Sequence, residues 1–101
     1  IPVIKMAQSL CDSGHQIVIF SGRSKGTIHT TKQWLNKNNV PWHRLFMRPI
    51  KDFTPDDVLK QDWLNDIGKD NVLCTFDDRN KVVDMWRQNG INCFQVADGN
   101  F

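Results

Sequence analysis

Short apolar runs alternate along this chain with segments whose apolar residues recur at helical spacing. Residues 3–13 place Val3, Ile4, Met6, Ala7, Leu10 and Cys11 on one helical stripe, and Gly14 is a natural stop. Residues 16–20 are apolar and branched and predict a short buried strand, followed by a loop over 21–26. A helix is predicted over 27–38, with Ile28, Thr31, Trp34 and Leu35 inward; Asn38-Asn39 ends it and Pro41 forbids its continuation. A weak strand follows at 44–47. Thr54-Pro55-Asp56-Asp57 then reads as a helix start: a capping hydroxyl, a proline at the first position, and two acids near the positive end of the dipole. That helix carries Val58, Leu59, Trp63, Leu64 and Ile67 and stops at Gly68. Residues 71–76 predict a strand, 80–89 a helix with Val82, Val83, Met85 and Trp86 closed by Gly90, and 92–96 a last strand. Regular alternation with short connections argues an α/β fold: a parallel, Rossmann-like sheet with helices on both faces.

Composition narrows the class. With 101 residues and 40% hydrophobic content, the chain is one small domain or a piece of one, and disorder is not expected. A net charge of +2 is too small to argue nucleic-acid binding. Cys11, Cys74 and Cys93 are odd in number and widely spaced, which fits neither a zinc site nor a disulfide scaffold. Cys74 and Cys93 lie in apolar runs, where a buried free thiol is expected, and the reading is a reducing cytoplasm. No segment is long and apolar enough to predict a membrane span, so no membrane partner is expected. The chain opens on Ile1-Pro2, and an upstream segment is expected to be missing.

The candidate chemistry sits where strands end. In open α/β sheets, ligands bind beyond the carboxyl ends of the strands. Ser21-Gly22-Arg23 follows the first apolar run; its hydroxyl, a backbone N–H and a forked guanidinium suit a phosphate, though an ordinary turn explains them equally well. Asp77-Asp78 follows the third run. Adjacent carboxylates repel unless a cation neutralises them, and a hard oxygen-ligated ion such as Mg²⁺ is the natural partner. The competing reading has one aspartate capping the next helix and the other pairing with Arg79. Lys60 lies four residues after Asp56 on one helix face. The lysine could neutralise developing charge with the aspartate holding its ammonium, but on spacing alone a surface ion pair is the stronger reading. His15, His29 and His43 have no mutual ligand spacing, and Trp34, Trp42, Trp63 and Trp86 read as core and rim packing.

Taken in order, Ser21-Gly22-Arg23, Thr31-Lys32-Gln33-Trp34-Leu35, Met47-Arg48-Pro49, Asp56-Asp57-Val58-Leu59-Lys60, Phe76-Asp77-Asp78-Arg79 and the tail Gln95-Val96-Ala97-Asp98-Gly99-Asn100-Phe101 resemble one family. It is the phosphatase domain of bacteriophage polynucleotide kinase-phosphatases, of the haloacid-dehalogenase-like superfamily. The resemblance covers essentially the whole chain. It implies a Mg²⁺-dependent phosphomonoesterase that removes terminal phosphate through an aspartyl-phosphate intermediate. Ser21 would bind the transferring phosphoryl group, with Gly22, Arg23 and Arg48 on the substrate. Asp56 and Lys60 would be the charge-stabilising motif, Asp77 would hold Mg²⁺ and Asp78 would support it. The implied substrates are 3′-phosphorylated DNA or RNA ends, with a kinase domain upstream in some members, acting in the cytoplasm (of the host, if phage-encoded).

One departure matters. The family's Asp-x-Asp strand, which carries the nucleophile and the general acid, occurs nowhere in this sequence. The expectation is therefore a single domain over 1–101, truncated at its N-terminus and lacking its first, central strand. The 101-residue chain alone would be inactive. The remaining strands should be parallel, with a gap between the strand ending at Phe20 and the one ending at Phe76. Other readings are a non-catalytic module that keeps the phosphate and metal pocket, and a phosphatase of small metabolites.

Overall fold

The computed structural model describes residues 2–101, in the order α1 (Pro2–Asp12), β1 (Val18–Ser24), α2 (Ile28–Lys37), β2 (Arg44–Arg48), α3 (Asp56–Ile67), β3 (Thr75–Asp77), α4 (Asn80–Gln88) and β4 (Cys93–Gln95). Short 3₁₀ turns at Lys25–Thr27 and Lys69–Asn71 precede α2 and follow α3. The described residues divide into two compact units, one running to Phe53 and the other from Thr54 to Phe101. Each carries one parallel strand pair, β1 with β2 and β3 with β4, and among the described residues no ladder joins β1 to β3.

In the first unit, Val18, Ile19 and Phe20 pair with Arg44, Leu45 and Phe46, and the Phe20 and Phe46 rings meet edge-on at 5.1 Å. His43 ties off the start of this ladder: its N–H donates to the Ile17 carbonyl at 2.8 Å, and its Nδ1 accepts from the Ile17 N–H at 2.8 Å. The histidine is thus a structural acceptor. Leu35 of α2 and Met47 of β2 are buried, whereas Trp34, expected inward, is 52% exposed. Trp34 lies one residue from the Leu35 stripe, and a rotation of 100° per residue carries its indole out of a narrow apolar face.

In the second unit, α3 packs on α4. Leu59, Trp63 and Leu64 are buried on one helix, and Val82, Val83, Met85 and Trp86 on the other. Val58, on the same helix as Leu59, is 47% exposed. A reciprocal pair links the two helices: Gln61 Nε2 donates to Asn89 Oδ1, and Asn89 Nδ2 to Gln61 Oε1. Cys93 is buried in β4, whereas Cys74, expected buried, is only half-buried just before β3. Partial burial, with Cys93 nearby as the smaller cause, pushes the Cys74 thiol up, so it stays protonated and unreactive near neutrality. All three cysteines are free.

Helix ends follow the stops legible in the sequence. Gly14, Asn39 and Gly90 all have positive φ, and the residue after each donates back to the carbonyl five residues earlier: His15 to Leu10, Val40 to Leu35 and Ile91 to Trp86. This closure needs a left-handed residue. The start of α3 differs from expectation. Pro55, expected at the first helical position, is instead the N-cap, so the helix begins one residue later than expected, and Pro55 itself offers no side-chain capping bond. Gly90→Ala is expected to destabilise the protein by about 1–2 kcal/mol, the usual cost of a left-handed L-residue. A Cβ at Gly90 meets nothing within 4 Å, so the effect is conformational. Gly90→Asn should recover part of the loss, and urea denaturation of the three proteins checks both statements.

Candidate functional site

The carboxyl end of β3 presents Asp77, and the packing of α3 against α4 brings Lys60 and Trp86 to it. Lys60 is buried, with 8% of its surface accessible. A buried lysine is rare unless it is paired. Its Nζ lies 3.3 Å from Asp77 Oδ2, and the Trp86 indole N–H reaches the same oxygen at 3.4 Å. The other oxygen, Oδ1, accepts from the backbone N–H groups of Asp78 at 2.9 Å and Arg79 at 3.4 Å. Four donors therefore meet the four lone-pair positions of one carboxylate. The Lys60 ammonium, by contrast, has three N–H groups, and the described residues engage one of them.

This arrangement corrects the pairing expected within α3. Lys60 is held by Asp77, seventeen residues on, and not by Asp56. Asp56 lies in the first turn of α3 and pairs with the Arg79 guanidinium at 3.5 Å. Helical spacing shows that two residues share a face; it does not show what packs against that face. The competing reading of the acidic pair is also corrected. Arg79 pairs with Asp56, and α4 has no side-chain N-cap. Asp78 is exposed, and its carboxylate meets no cation among the described residues.

In the first unit, Ser21-Gly22-Arg23 is not the predicted loop. β1 continues to Ser24, and the register jumps from Ser21↔Met47 to Ser24↔Arg48, so Gly22 and Arg23 form a bulge. Bulges re-aim side chains, and they are common beside active sites. Ser21 Oγ accepts from the Arg23 N–H at 3.2 Å, and the Arg23 side chain is exposed, with no hydrogen bond or ion pair among the described residues. Arg48, expected on substrate, braces this bulge: Nε donates to the Gly22 carbonyl at 2.9 Å, and Nη1 lies 3.7 Å from Asp52. Sequence reasoning missed Trp86 as a donor to Asp77, since an indole on an apolar stripe reads as packing alone.

As an oxygen donor set for a hard cation, the acidic pair fits in part. Asp78 offers a solvated carboxylate with open lone pairs, whereas Asp77 is already saturated by hydrogen-bond donors. Among the described residues no cluster of three or more His, Cys, Asp or Glu forms a complete ligand set. Two residues before Asp77, on the same face of β3, the buried Thr75 hydroxyl has no partner among the described residues.

The first unit thus offers a bulged strand bearing Ser-Gly-Arg, and the second a strand-end aspartate held by a buried lysine, in a small α/β protein of parallel strand pairs. The chain belongs to the haloacid-dehalogenase-like family described as the polynucleotide kinase PNKP phosphatase domain, which matches residues 1–101. It is 38% identical over 89 residues to the “Putative bifunctional polynucleotide kinase/RNA ligase” of Autographa californica nuclear polyhedrosis virus, covering 84% of this chain and 13% of that protein. Two solved structures of Pnkp1/Rnl/Hen1, one described as an RNA repair complex, contain chains 33% identical to this one. The TM-scores are 0.85 and 0.86, and 98% of this chain is covered, against 32% and 34% of those chains. The chain thus spans about a third or less of the length of these relatives.

Proposed function

We propose that these residues form one domain with the nucleophile-bearing strand of a Mg²⁺-dependent polynucleotide 3′-phosphatase. The single observation that carries the reading is the buried Lys60 ammonium, anchored by Asp77 and with N–H groups that the described residues leave unengaged. A fixed, desolvated cation with spare N–H groups suits the charge that develops on a phosphoryl group during transfer. Ser21 and Arg23 would bind phosphoryl oxygens, and Arg48 and Gly22 would shape the bulge that presents them. Asp56 would act through Arg79. The donor set favours Asp78 as the residue that holds Mg²⁺, with Asp77 reserved for Lys60; this exchanges the roles that the family resemblance implied for the two. Mg²⁺ would supply neutralisation of phosphoryl oxygen charge.

No residue of this chain is an aspartate paired two positions later with a second one. The attacking carboxylate and the acid for the leaving oxygen would therefore come from residues outside these 101. Relatives named for polynucleotide kinase, RNA ligase and RNA repair favour nucleic-acid ends over small metabolites as substrate, and favour a kinase domain in the parent protein. No helix among the described residues is long and apolar enough to cross a membrane.

The test is phosphate release from a 3′-phosphorylated oligonucleotide. The full-length protein should turn over with Mg²⁺ and stop on chelation, while the 101-residue chain alone should release none. Loss of the nucleophile and the general acid together removes covalent catalysis and a further factor of about 10²–10⁴. Robust turnover by the short chain would mean that one of its own residues is the nucleophile. A full-length protein that binds phosphate and metal without turnover would instead be a binding module.

A further inference from the structure

The tail from Gln95 onward grips the backbone of the acidic loop at several points. Gln95 stands opposite Asp77 across the β3–β4 ladder. The Asp77 carbonyl accepts from the Val96 N–H at 3.1 Å. The Gln95 side-chain amide donates from Nε2 to the Asp78 carbonyl at 3.0 Å and lies 2.6 Å from Asn80 Oδ1. The Asn80 N–H donates to the Gly99 carbonyl at 2.8 Å. Gly99 is buried against the loop; a Cβ there would overlap the Asp78 carbonyl and come within 2.7 Å of the Arg79 Cα. Beyond it, the Arg79 guanidinium lies over the Phe101 ring at 4.8 Å. Every residue from Asp77 to Asn80 is thus touched by the tail, while among the described residues the Asp78 side chain has no partner of its own to hold it.

We infer that the segment Gln95–Phe101 is a clamp, in which Gln95 and Gly99 are positioning residues that aim the Asp78 carboxylate at the divalent cation. The inference rests on the reading of Asp78 as the metal-holding residue. Mg²⁺ demands near-ideal octahedral geometry, so a ligand on a loose loop must first be ordered. Only a donor serves at position 95, because both of the oxygens that it faces are acceptors. Only glycine serves at 99, because the Asp78 peptide fills the space of a side chain.

The experiment compares full-length wild type, Gln95→Met, Gly99→Ala and Asp78→Asn, with Mn²⁺ as an EPR-visible probe and Mg²⁺ in phosphate-release assays. Gln95→Met and Gly99→Ala are expected to weaken Mn²⁺ binding about 10-fold or more, the effect usual for residues that orient a ligand. They should raise the Mg²⁺ concentration for half-maximal turnover in parallel, with kcat at saturating Mg²⁺ within about twofold of wild type. Unchanged Mn²⁺ affinity in both variants, with only a lower Tm or kcat, would make the tail merely structural and overturn the inference. So would an Asp78→Asn protein that binds Mn²⁺ as tightly as wild type. If Gly99→Ala does not fold, Gln95→Met decides alone. Mn²⁺ binding that follows the expected order in a protein that releases no phosphate would sink the phosphatase reading and leave the clamp standing.

Discussion

Lys60→Met in the full-length protein is expected to lower kcat for 3′-phosphate release by about 10²–10³-fold, the range seen when a fixed donor to a developing charge is removed. The methionine keeps the buried stem of the side chain and deletes the ammonium alone. Stability should also fall, by roughly 3 kcal/mol, the lower end of the range for breaking a buried pair, because two backbone N–H groups still hold Asp77 Oδ1. The double variant Lys60→Met/Asp77→Asn separates the two effects. With no uncompensated carboxylate left, it should regain much of the stability and none of the turnover. Denaturation midpoints and single-turnover phosphate release on the same samples make the comparison. Turnover by Lys60→Met within tenfold of wild type, or recovery of turnover in the double variant, would remove the lysine from the chemistry.

Trp86→Ala is expected to destabilise the second unit by about 3–5 kcal/mol, as large-to-small changes of buried aromatics do. Trp86 is 4% exposed and packs among the residues that join α3 to α4. Its indole N–H also supports Asp77 Oδ2, at the long distance of 3.4 Å. Trp86→Phe divides these contributions, because it keeps most of the ring and loses the donor. The phenylalanine variant should lose about 1–2 kcal/mol for the smaller ring and the weak hydrogen bond, with the Lys60–Asp77 pair intact. Equal losses in the two variants would show that the hydrogen bond outweighs packing, against the geometry. Guanidinium titration followed by the fluorescence of the remaining tryptophans reads the difference.

Much of this protein was legible before folding was considered. Helix periodicity located α1 to α4 within a few residues, and the stops at Gly14, Asn39, Gly68 and Gly90 coincide with positive φ; at Gly14, Asn39 and Gly90 a left-handed residue closes the helix. The α4 stripe of Val82, Val83, Met85 and Trp86 is buried as predicted, since one strongly apolar face leaves one way to turn. Family membership was legible in the order and spacing of its motifs, which depend on sequence alone.

What the sequence determined by itself, then, is local: which segments turn into helices and strands, where they stop, and which residue types stand at the ends of strands. Tertiary structure decided the rest, because its facts are relations between segments far apart in the chain. Spacing put Lys60 and Asp56 on one face, but the meeting of α3 with the end of β3 gave the ammonium to Asp77 and left Asp56 to Arg79. Apolar continuity predicted that β1 would end at Phe20, yet pairing with β2 carried the strand through a bulge to Ser24, because Arg48 satisfies the Gly22 carbonyl. Gly99 reads in the sequence as one more turn residue; only the approach of the tail to Asp78 makes a Cβ impossible there. Such contacts are set by burial and hydrogen-bond satisfaction across the fold, which no window along the chain contains.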